Sequence, residues 1–239
     1  MSNNLIQFFP LPVKNFEYLF PEPVSCTKYI PSWYKNQPSS FSKENESRDA
    51  NLTVKKCLPF FDSLSMGYFL RMPVDLYINT KNGKSECNIP EEFLKIKNRI
   101  IGWHTSDHIS HYPANFDIYL KDLFRINPMW MTRTPPGYST LFMSPMHQEY
   151  SPLKAIEAVV DTDKFLTDGL NSFFLEKNFE GVIKQGTPIL QAIPFKRESW
   201  EMVIDLNHDP EEIYTQNKRG DLLYPNAYRS MAWEKKNFN

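Results

Sequence analysis

Short apolar runs, separated by turn residues, recur through the second half of the chain. Pro-Pro-Gly, Asp-Gly and Gln-Gly sequences stand between runs that are rich in Val, Ile, Phe and Tyr. Runs of this length and composition are typical of β-strands. We therefore predict strands within residues 123–133, 138–143, 153–161, 171–175 and 188–195. The segment from residue 135 to residue 195 is the expected β-rich heart of the protein.

The first half of the chain has further strand-like patterns. Residues 52–61 and 68–78 are apolar and aromatic, and Asp62 and Gly67 supply turn chemistry between them. An Asn-Gly dipeptide at residues 82–83 is a strong signal for a tight hairpin turn. We predict two strands here, with a hairpin turn after the second.

Residues 88–102 allow two interpretations. A proline followed by two glutamates at 90–92 is typical of a helix start. The alternation of basic residues at positions 95, 97 and 99 is typical of a strand instead. We favour the strand.

The first 51 residues differ from the rest. Proline and aromatic residues dominate up to about residue 40, and residues 39–51 are polar and without apolar periodicity. Proline lacks a backbone donor and large apolar side chains seek a surface to cover. We predict that residues 1–51 are an extended arm and loop packing on one mainly-β domain, residues 52–239. The expected fold is a single β-sandwich or barrel-like core with short helices.

Composition supports a β-rich fold and excludes some function classes. The chain has 19 Pro and 8 Gly, and its 27 Lys and Arg balance 28 Asp and Glu. Balanced charge gives no general attraction to nucleic acid or anionic membranes. No apolar run is long enough to span a bilayer. We predict a cytoplasmic protein that binds no membrane and for which nucleic acid is not the expected partner.

The three cysteines of the chain show no CxxC spacing. We expect them to be free thiols that are buried or partly buried.

Three of the five histidines lie close together in the sequence. His104, His108 and His111 fall within eight residues, beside Asp107. On a helix these imidazoles would share a face and would bind a divalent metal such as zinc, iron or manganese. The neighbouring Gly102 favours an exposed loop instead. Both interpretations stay open.

A pair of carboxylates follows one of the predicted strands. Asp161 and Asp163 are two residues apart, so on a strand they would face the same side and repel unless a cation or donors intervene. A solvated strand end is one interpretation. A metal site or an acid–base role is the other.

Three blocks of sequence together resemble a family of uncharacterised bacteriophage and bacterial proteins. They are WYK at residues 33–35 with VKKCLPFFD at 54–62, TPPGYS at 134–139, and VDTD at 160–163 with GTPI at 186–189. The resemblance spans nearly the whole chain. It implies a phage or bacterial origin and brings no known activity.

The second half also resembles the dUTPase and dCTP deaminase superfamily. A Pro-Gly-Tyr turn ending at Tyr138 precedes Met143, Ser144 and Pro145, where that superfamily has Arg-Ser-Gly to bind phosphate. The resemblance implies that Asp161 is a general base beside Asp163. It also implies a jelly-roll-like or dUTPase-like core and a trimer.

The same resemblance suggests which residues would contact a ligand. Ser144 matches the phosphate-binding serine, Tyr138 belongs to the matching turn, and His147 is the candidate to replace the missing arginine. The sequence GTPILQ at residues 186–191 resembles a strand of that superfamily. This match supports a similar fold and does not indicate a catalytic role.

Two functions follow from these observations. The first is binding of a small polar ligand, either nucleotide-like or metal-chelating, with Asp161 as base if the protein is an enzyme. The second is a non-enzymatic interaction or virion-associated protein whose aromatic arm and basic aromatic tail contact partner chains. The tail contains Arg229, Trp233, Lys235 and Lys236. Whether the chain is an enzyme stays open.

Overall fold

A computed structural model gives the fold of this chain. It describes residues 5–16, 18–41, 52–83, 85–166, 171–207, 209, 211–212, 214–215 and 228–238. The chain divides into two compact units. One falls within Met1–Pro31, Leu64–Arg197 and Phe238, and the other within Ser32–Ser63 and Glu198–Asn237.

The first unit is built from short antiparallel strands. In chain order they are β1 (Gln7–Pro10), β2 (Val24–Ser25), β3 (Tyr68–Arg71), β4 (Leu76–Asn79), β5 (Glu86–Asn88), β6 (Ile101–His104), β7 (Leu123–Ile126), β8 (Trp130–Arg133), β9 (Tyr138–Met143), β10 (Leu153–Ala155), β11 (Ala158–Val160), β12 (Asn171–Leu175), β13 (Glu180–Ile183) and β14 (Pro188–Lys196).

These strands form four sheets. A five-stranded sheet has the order β11-β9-β14-β3-β2, and a four-stranded sheet has the order β10-β12-β7-β6. A three-stranded sheet, β13-β4-β5, and the pair β1-β8 complete the unit. All described pairings are antiparallel, and none of these sheets closes into a barrel within the described residues. The prediction of a mainly-β protein is therefore confirmed, whereas a barrel is not observed.

One continuous core lies within this unit. It combines apolar residues of β3, β4, β7, β12 and β14, and the phenylalanines at positions 124 and 173 are fully buried. The central strand β14 is buried at each residue from 189 to 193. A strand buried on both faces is typically rich in apolar residues, and Gln191 is the one polar residue among these five.

The N-terminal segment contributes to the core. Strand β1 pairs with β8 in the register Gln7↔Arg133 to Pro10↔Trp130. Leu11 is also buried in the main core. Residues 42–51, the greater part of the predicted loop, lie outside the described residues.

The hairpin predicted at residues 82–83 is confirmed. Strands β4 and β5 pair in antiparallel register, with Ile78 opposite Cys87. The connecting 3₁₀ turn is Lys81–Gly83, in which Gly83 has φ +70°. Glycine adopts this left-handed conformation without the steric penalty of a side chain.

Two strand predictions were wrong. Residues 52–61 contain a 3₁₀ turn, Val54–Lys56, and the start of helix α2 (Leu58–Ser65). The Cys57 carbonyl accepts the Phe61 amide at 3.0 Å, and Pro59 in the first helical turn has no amide that needs a partner. The apolar content that suggested a strand instead packs one side of this helix.

The second wrong prediction concerns residues 88–102. A 3₁₀ helix covers Glu91–Ile96 and helix α3 covers Lys97–Ile100, before β6 begins. The 3₁₀ helix follows Pro90 and has two glutamates in its first turn. Acidic residues stabilise the positive end of a helix, so the helix-start signal outweighed the alternation of basic residues.

The second unit contains short helical segments. Its described elements are helix α1 (Ser32–Asn36), the Val54–Lys56 turn, the first part of α2 and a π-helical turn, Tyr228–Ala232. The ring of Tyr34 stacks on that of Phe60 with centroids 5.9 Å apart. No helix among the described residues has the length and apolar character to cross a membrane.

Candidate functional site

The carboxylates of Asp161 and Asp163 share one arginine. Arg197, directly after β14, donates from Nη1 to Asp161 Oδ1 at 3.1 Å and to Asp163 Oδ1 at 2.9 Å. Its Nη2 donates to Asp163 Oδ2 at 2.5 Å. The Gly137 amide also donates to Asp163 Oδ2, at 2.8 Å. The cation that the sequence requires between the two carboxylates is therefore an arginine of the same chain.

This arrangement shifts the pKa of one carboxyl group. The hydrogen bond from Arg197 is the main cause that lowers the pKa of Asp163 to about 2, and the Gly137 amide lowers it further. The Asp163 side chain is only 4% exposed, whereas that of Asp161 is 52% exposed. Asp163 is thus a fixed carboxylate that holds the turn at residues 135–137 against the end of β14.

Asp161 has a different environment. Ser139 Oγ donates to Asp161 Oδ1 at 2.6 Å, and Arg197 donates to the same oxygen. Two donors therefore hold this half-exposed carboxylate in place. The general-base role of Asp161 stays a prediction.

Three threonine hydroxyl groups anchor the chain between the two aspartates. Thr162 Oγ1 lies 2.7 Å from Thr134 Oγ1 and 2.8 Å from Thr140 Oγ1. All three residues are buried. The loop after β11 is therefore held from both sides, and its carboxylates have little freedom to reorganise around a ligand.

The other predicted ligand contacts have local structural roles. Ser144 Oγ accepts the Ala155 amide at 2.8 Å, which joins the end of β9 to β10. The Tyr138 carbonyl accepts from Arg197 Nη1 at 3.0 Å. His147 lies in the loop after β9 with φ 54°. Their role as ligand contacts stays a prediction.

The histidine cluster is only partly brought together. His104 ends β6 and His108 lies in a 3₁₀ turn, Ser106–Ile109, with ring centroids 4.3 Å apart. Among the described residues, which include His111, no group of three or more His, Cys, Asp or Glu side chains is arranged to hold a metal ion. The proposed metal site at His104, His108 and His111 therefore has no supporting geometry.

The three thiols have distinct environments. Cys26 is fully buried, Cys87 is half-buried and Cys57 is exposed. Burial raises the pKa of Cys26 strongly and that of Cys87 to about 11. All three are free, as predicted, but the exposure of Cys57 differs from the expected burial.

The exposed thiol belongs to a basic cleft in the second unit. The cleft has a volume of about 490 Å³. Its described lining carries three cationic side chains and no carboxylate: Ser39, Lys55, Lys56, Cys57, Leu58, Pro59, Tyr228 and Arg229. Ligand sites in proteins typically enclose about 300–1,000 Å³, so this cleft has the size of a small-molecule site.

One wall of the cleft is fixed by Lys55. Its Nζ donates to the carbonyl oxygens of Tyr34 and Lys35, at 3.0 and 2.5 Å, and lies 5.5 Å from the centre of the Tyr34 ring. Two carbonyls at the end of helix α1 are thus satisfied by this ammonium group, as expected for a cation at a helix C-terminus.

A second wall is fixed near the C-terminus. Trp233 Nε1 donates to Asp62 Oδ2 at 3.0 Å, and Lys236 Nζ donates to the same oxygen at 2.8 Å. The Trp233 amide donates to the Tyr228 carbonyl at 2.8 Å. These contacts tie the π-helical turn that carries Arg229 to helix α2.

Sequence reasoning had identified parts of this cleft without joining them. The sequence predicts a strand at residues 52–61 and places Arg229 in a basic aromatic tail. A single sequence carries no signal that brings residues so far apart into one site. The paired lysines before a helix start were the one local hint.

Comparisons with known proteins give no identification. No family model matches the chain, and no curated protein and no solved structure matches it. The resemblances stated above therefore stay predictions.

Proposed function

We propose that this protein binds a small polyanionic ligand of the nucleotide type in the basic cleft of its second unit. The observation that carries the proposal is the convergence of Lys55, Lys56 and Arg229 on one cleft of ligand size. Carboxylates are absent from its described lining. Three like charges that face one space repel each other, and an anion relieves that repulsion.

Two of these cations are available to a ligand. Within the described part of the chain, the side chains of Lys56 and Arg229 form no hydrogen bond and no ion pair. Lys55 uses two of its three N–H donors on backbone carbonyls, so its contribution to ligand binding is mainly its positive charge. An arginine fork and a mobile ammonium group are the usual side chains for phosphate binding.

The remaining lining fits a ligand with a flat part. The Tyr228 side chain is 47% exposed beside Arg229. Stacking of a base on an exposed aromatic ring contributes about 1–3 kcal/mol and tolerates any base. A nucleotide would place its phosphates against the cations and its base near this ring.

Calorimetric titration with ATP, dUTP and inorganic pyrophosphate tests the proposal. We expect binding of at least one of these probes, and we expect Lys56→Gln and Arg229→Gln each to weaken it about tenfold, because each removes a charge-assisted contact. Lys95→Gln is the matched control, since Lys95 is exposed on the 3₁₀ helix Glu91–Ile96 and the charge change is the same.

The outcomes separate clearly. Binding that depends on Lys56 and Arg229 but not on Lys95 supports the proposal. Absence of binding by all three probes at millimolar concentration, or equal weakening by the control, contradicts it.

Several finer features accompany this proposal. We propose a phage or bacterial origin and a cytoplasmic location in the producing cell. We also propose that the two larger antiparallel sheets form a jelly-roll-like or dUTPase-like sandwich. The support is the pattern of sequence blocks and the mainly-β first unit.

A second candidate function is protein interaction, with a second copy of this chain as partner. One observation favours it: Trp200, Met202, Ile204 and Leu206 lie at every second position and are 72–89% exposed, and Val203 between them is a fifth exposed apolar residue. Alternating apolar residues are the pattern of a strand that covers a surface. Trp200 alone offers about 150–250 Å² of the roughly 800 Å² that one partner of a standard interface buries, and the three aliphatic side chains add to it.

Light scattering across a concentration series tests this alternative. The wild-type chain should form a closed oligomer, a trimer if the superfamily resemblance holds. Trp200→Ser combined with Ile204→Ser should then give a monomer. A wild-type chain that is monomeric at all concentrations contradicts the alternative.

A further inference from the structure

The side chain of Arg125, in strand β7, has no partner among the residues that the structure describes. Its Nε is buried and has no hydrogen bond, while its terminal nitrogens reach solvent. Within the described residues its guanidinium forms no hydrogen bond and no ion pair. A buried and unsatisfied donor is costly, and natural proteins rarely leave one without a reason.

Open space lies beside the guanidinium group of Arg125. Arg125 lies opposite Gly102 of β6, and an added Cβ at Gly102 would meet no atom within 4 Å. On the other side Arg125 lies opposite Ser172 of β12. Residues that are paired across antiparallel strands project from the same face of the sheet. A space therefore exists beside Arg125, with a serine at its other border.

Two imidazoles border the same space. His104 is paired with Leu123, which places it diagonally to Arg125 on the same face, about 7–8 Å away along the usual sheet geometry. The His108 ring lies 4.3 Å from that of His104 between centroids. Burial is the main cause that lowers the pKa of His104, followed by the charge of Arg125 and by His108. A neutral imidazole still offers one N–H donor.

Two aspartates lie on the elements next to His104, and Lys121 directly precedes one of them, Asp122. Asp107 lies in the 3₁₀ turn with His108, and Asp122 directly precedes β7. Asp122 Oδ1 accepts the Ser106 amide at 3.0 Å and so has a structural partner. Neither aspartate forms an ion pair with Arg125 in the described structure. No residue that the structure describes thus neutralises the arginine charge by an ion pair.

We propose that Arg125, His104 and His108 form a binding site for a phosphoryl group, separate from the basic cleft. The fork of Arg125 would bind two oxygens of the group, and one N–H of each imidazole would donate to the others. This assigns the histidine cluster to anion recognition instead of metal binding. The shared chemistry is that of inorganic phosphate and of a phosphate monoester.

The test combines calorimetry with NMR of the histidine ring protons, using inorganic phosphate and methyl phosphate as separate probes. We expect phosphate binding in the wild-type protein, and we expect the pKa of His104 to rise when phosphate is bound, because an anion favours the protonated imidazole. Preference for methyl phosphate would identify a monoester as the ligand, and preference for inorganic phosphate would identify the free anion.

Variants separate this site from general charge effects. Arg125→Gln should weaken phosphate binding about tenfold or more and should abolish the phosphate-induced shift of His104. Arg125→Lys retains the charge but loses the fork, so it should retain only part of the affinity. Arg99→Gln on helix α3 is the matched control and should bind as the wild type does. If neither probe shifts His104, or if Arg125→Gln binds as tightly as Arg99→Gln, the proposal is overturned.

Discussion

Gln191 provides a test of how the central strand is held. This residue of β14 is fully buried, its Oε1 accepts the Met146 amide at 2.9 Å, and its Nε2 donates to the Met66 carbonyl at 2.7 Å. It therefore joins two loops on either side of β14. Gln191→Leu removes these two hydrogen bonds. Because leucine has nearly the same volume as glutamine, formation of a cavity contributes little to the effect.

The expected size of the effect follows from the two groups that are left without partners. Each unsatisfied donor or acceptor costs about 1–3 kcal/mol, so Gln191→Leu should lower the free energy of unfolding by about 2–6 kcal/mol. For a chain of this size each kcal/mol corresponds to roughly 2–4 °C in Tm. We therefore expect Tm to fall by roughly 5–20 °C.

Thermal and urea unfolding followed by circular dichroism measure this change. The matched control is Gln7→Leu, the same substitution at an exposed position of β1, which should stay within about 0.5 kcal/mol of the wild type. A loss below about 0.5 kcal/mol for Gln191→Leu would refute the structural role of Gln191 and the register of β14.

The other predictions concern the aspartate pair and one tight turn. Because Arg197 lowers the pKa of Asp163 from 3.8 to about 2, the stability that Asp163 provides is present above about pH 4 and is lost as the pH falls toward 2. Urea unfolding across this range should therefore show a steeper loss for the wild type than for Asp163→Asn, and equal slopes would contradict the ion pair. Gly67→Ala would place a Cβ 2.3 Å from the Ala192 carbonyl oxygen at φ +79°, and we expect it to destabilise by about 2 kcal/mol or more. Gly83 has φ +70° but open space around it, so Gly83→Ala should lower the free energy of unfolding, measured with urea, by only about 1–2 kcal/mol. A larger loss than at Gly67 would contradict the packing.

The strands of the second half could be predicted well from the sequence. Residues 138–143 and 171–175 coincide with β9 and β12 because short β-branched and aromatic runs there are bounded by turn residues. Strand β13, Glu180–Ile183, was missed. Its polar and small residues carry no apolar alternation, and it is held by pairing with β4 instead.

The helices of the first half could not be predicted from apolar content. The segment Leu58–Ser65 has the aromatic composition of a strand, and in its sequence only the proline in the first turn indicates a helix. Local propensity is weak for so short an element, and tertiary packing decides its conformation.

The candidate sites also depend on tertiary contacts that the sequence does not reveal. The sequence indicated that the two aspartates need a cation, but Arg197 lies 34 positions from Asp163 and carries no motif that points to it. The histidine spacing suggested a metal site on a helix, whereas His104 ends a strand and His108 lies in a 3₁₀ turn. The sequence could predict that a cation is needed beside the aspartates, but it could not predict which residue supplies that cation.

The exposed thiol of Cys57 offers the most direct measurement of ligand binding in the basic cleft. Cys57 lines the cleft, while Cys26 is buried and Cys87 is half-buried with its pKa raised to about 11, so a thiol reagent at neutral pH should modify Cys57 first. We predict that ATP or pyrophosphate slows this modification in a saturable manner, and that Arg229→Gln shifts the half-protecting concentration upward about tenfold. Cys57→Ser should remove the fast phase and serves as the control. Modification of Cys57 at an unchanged rate with every probe at saturating concentration would contradict the proposal that this cleft binds a polyanion.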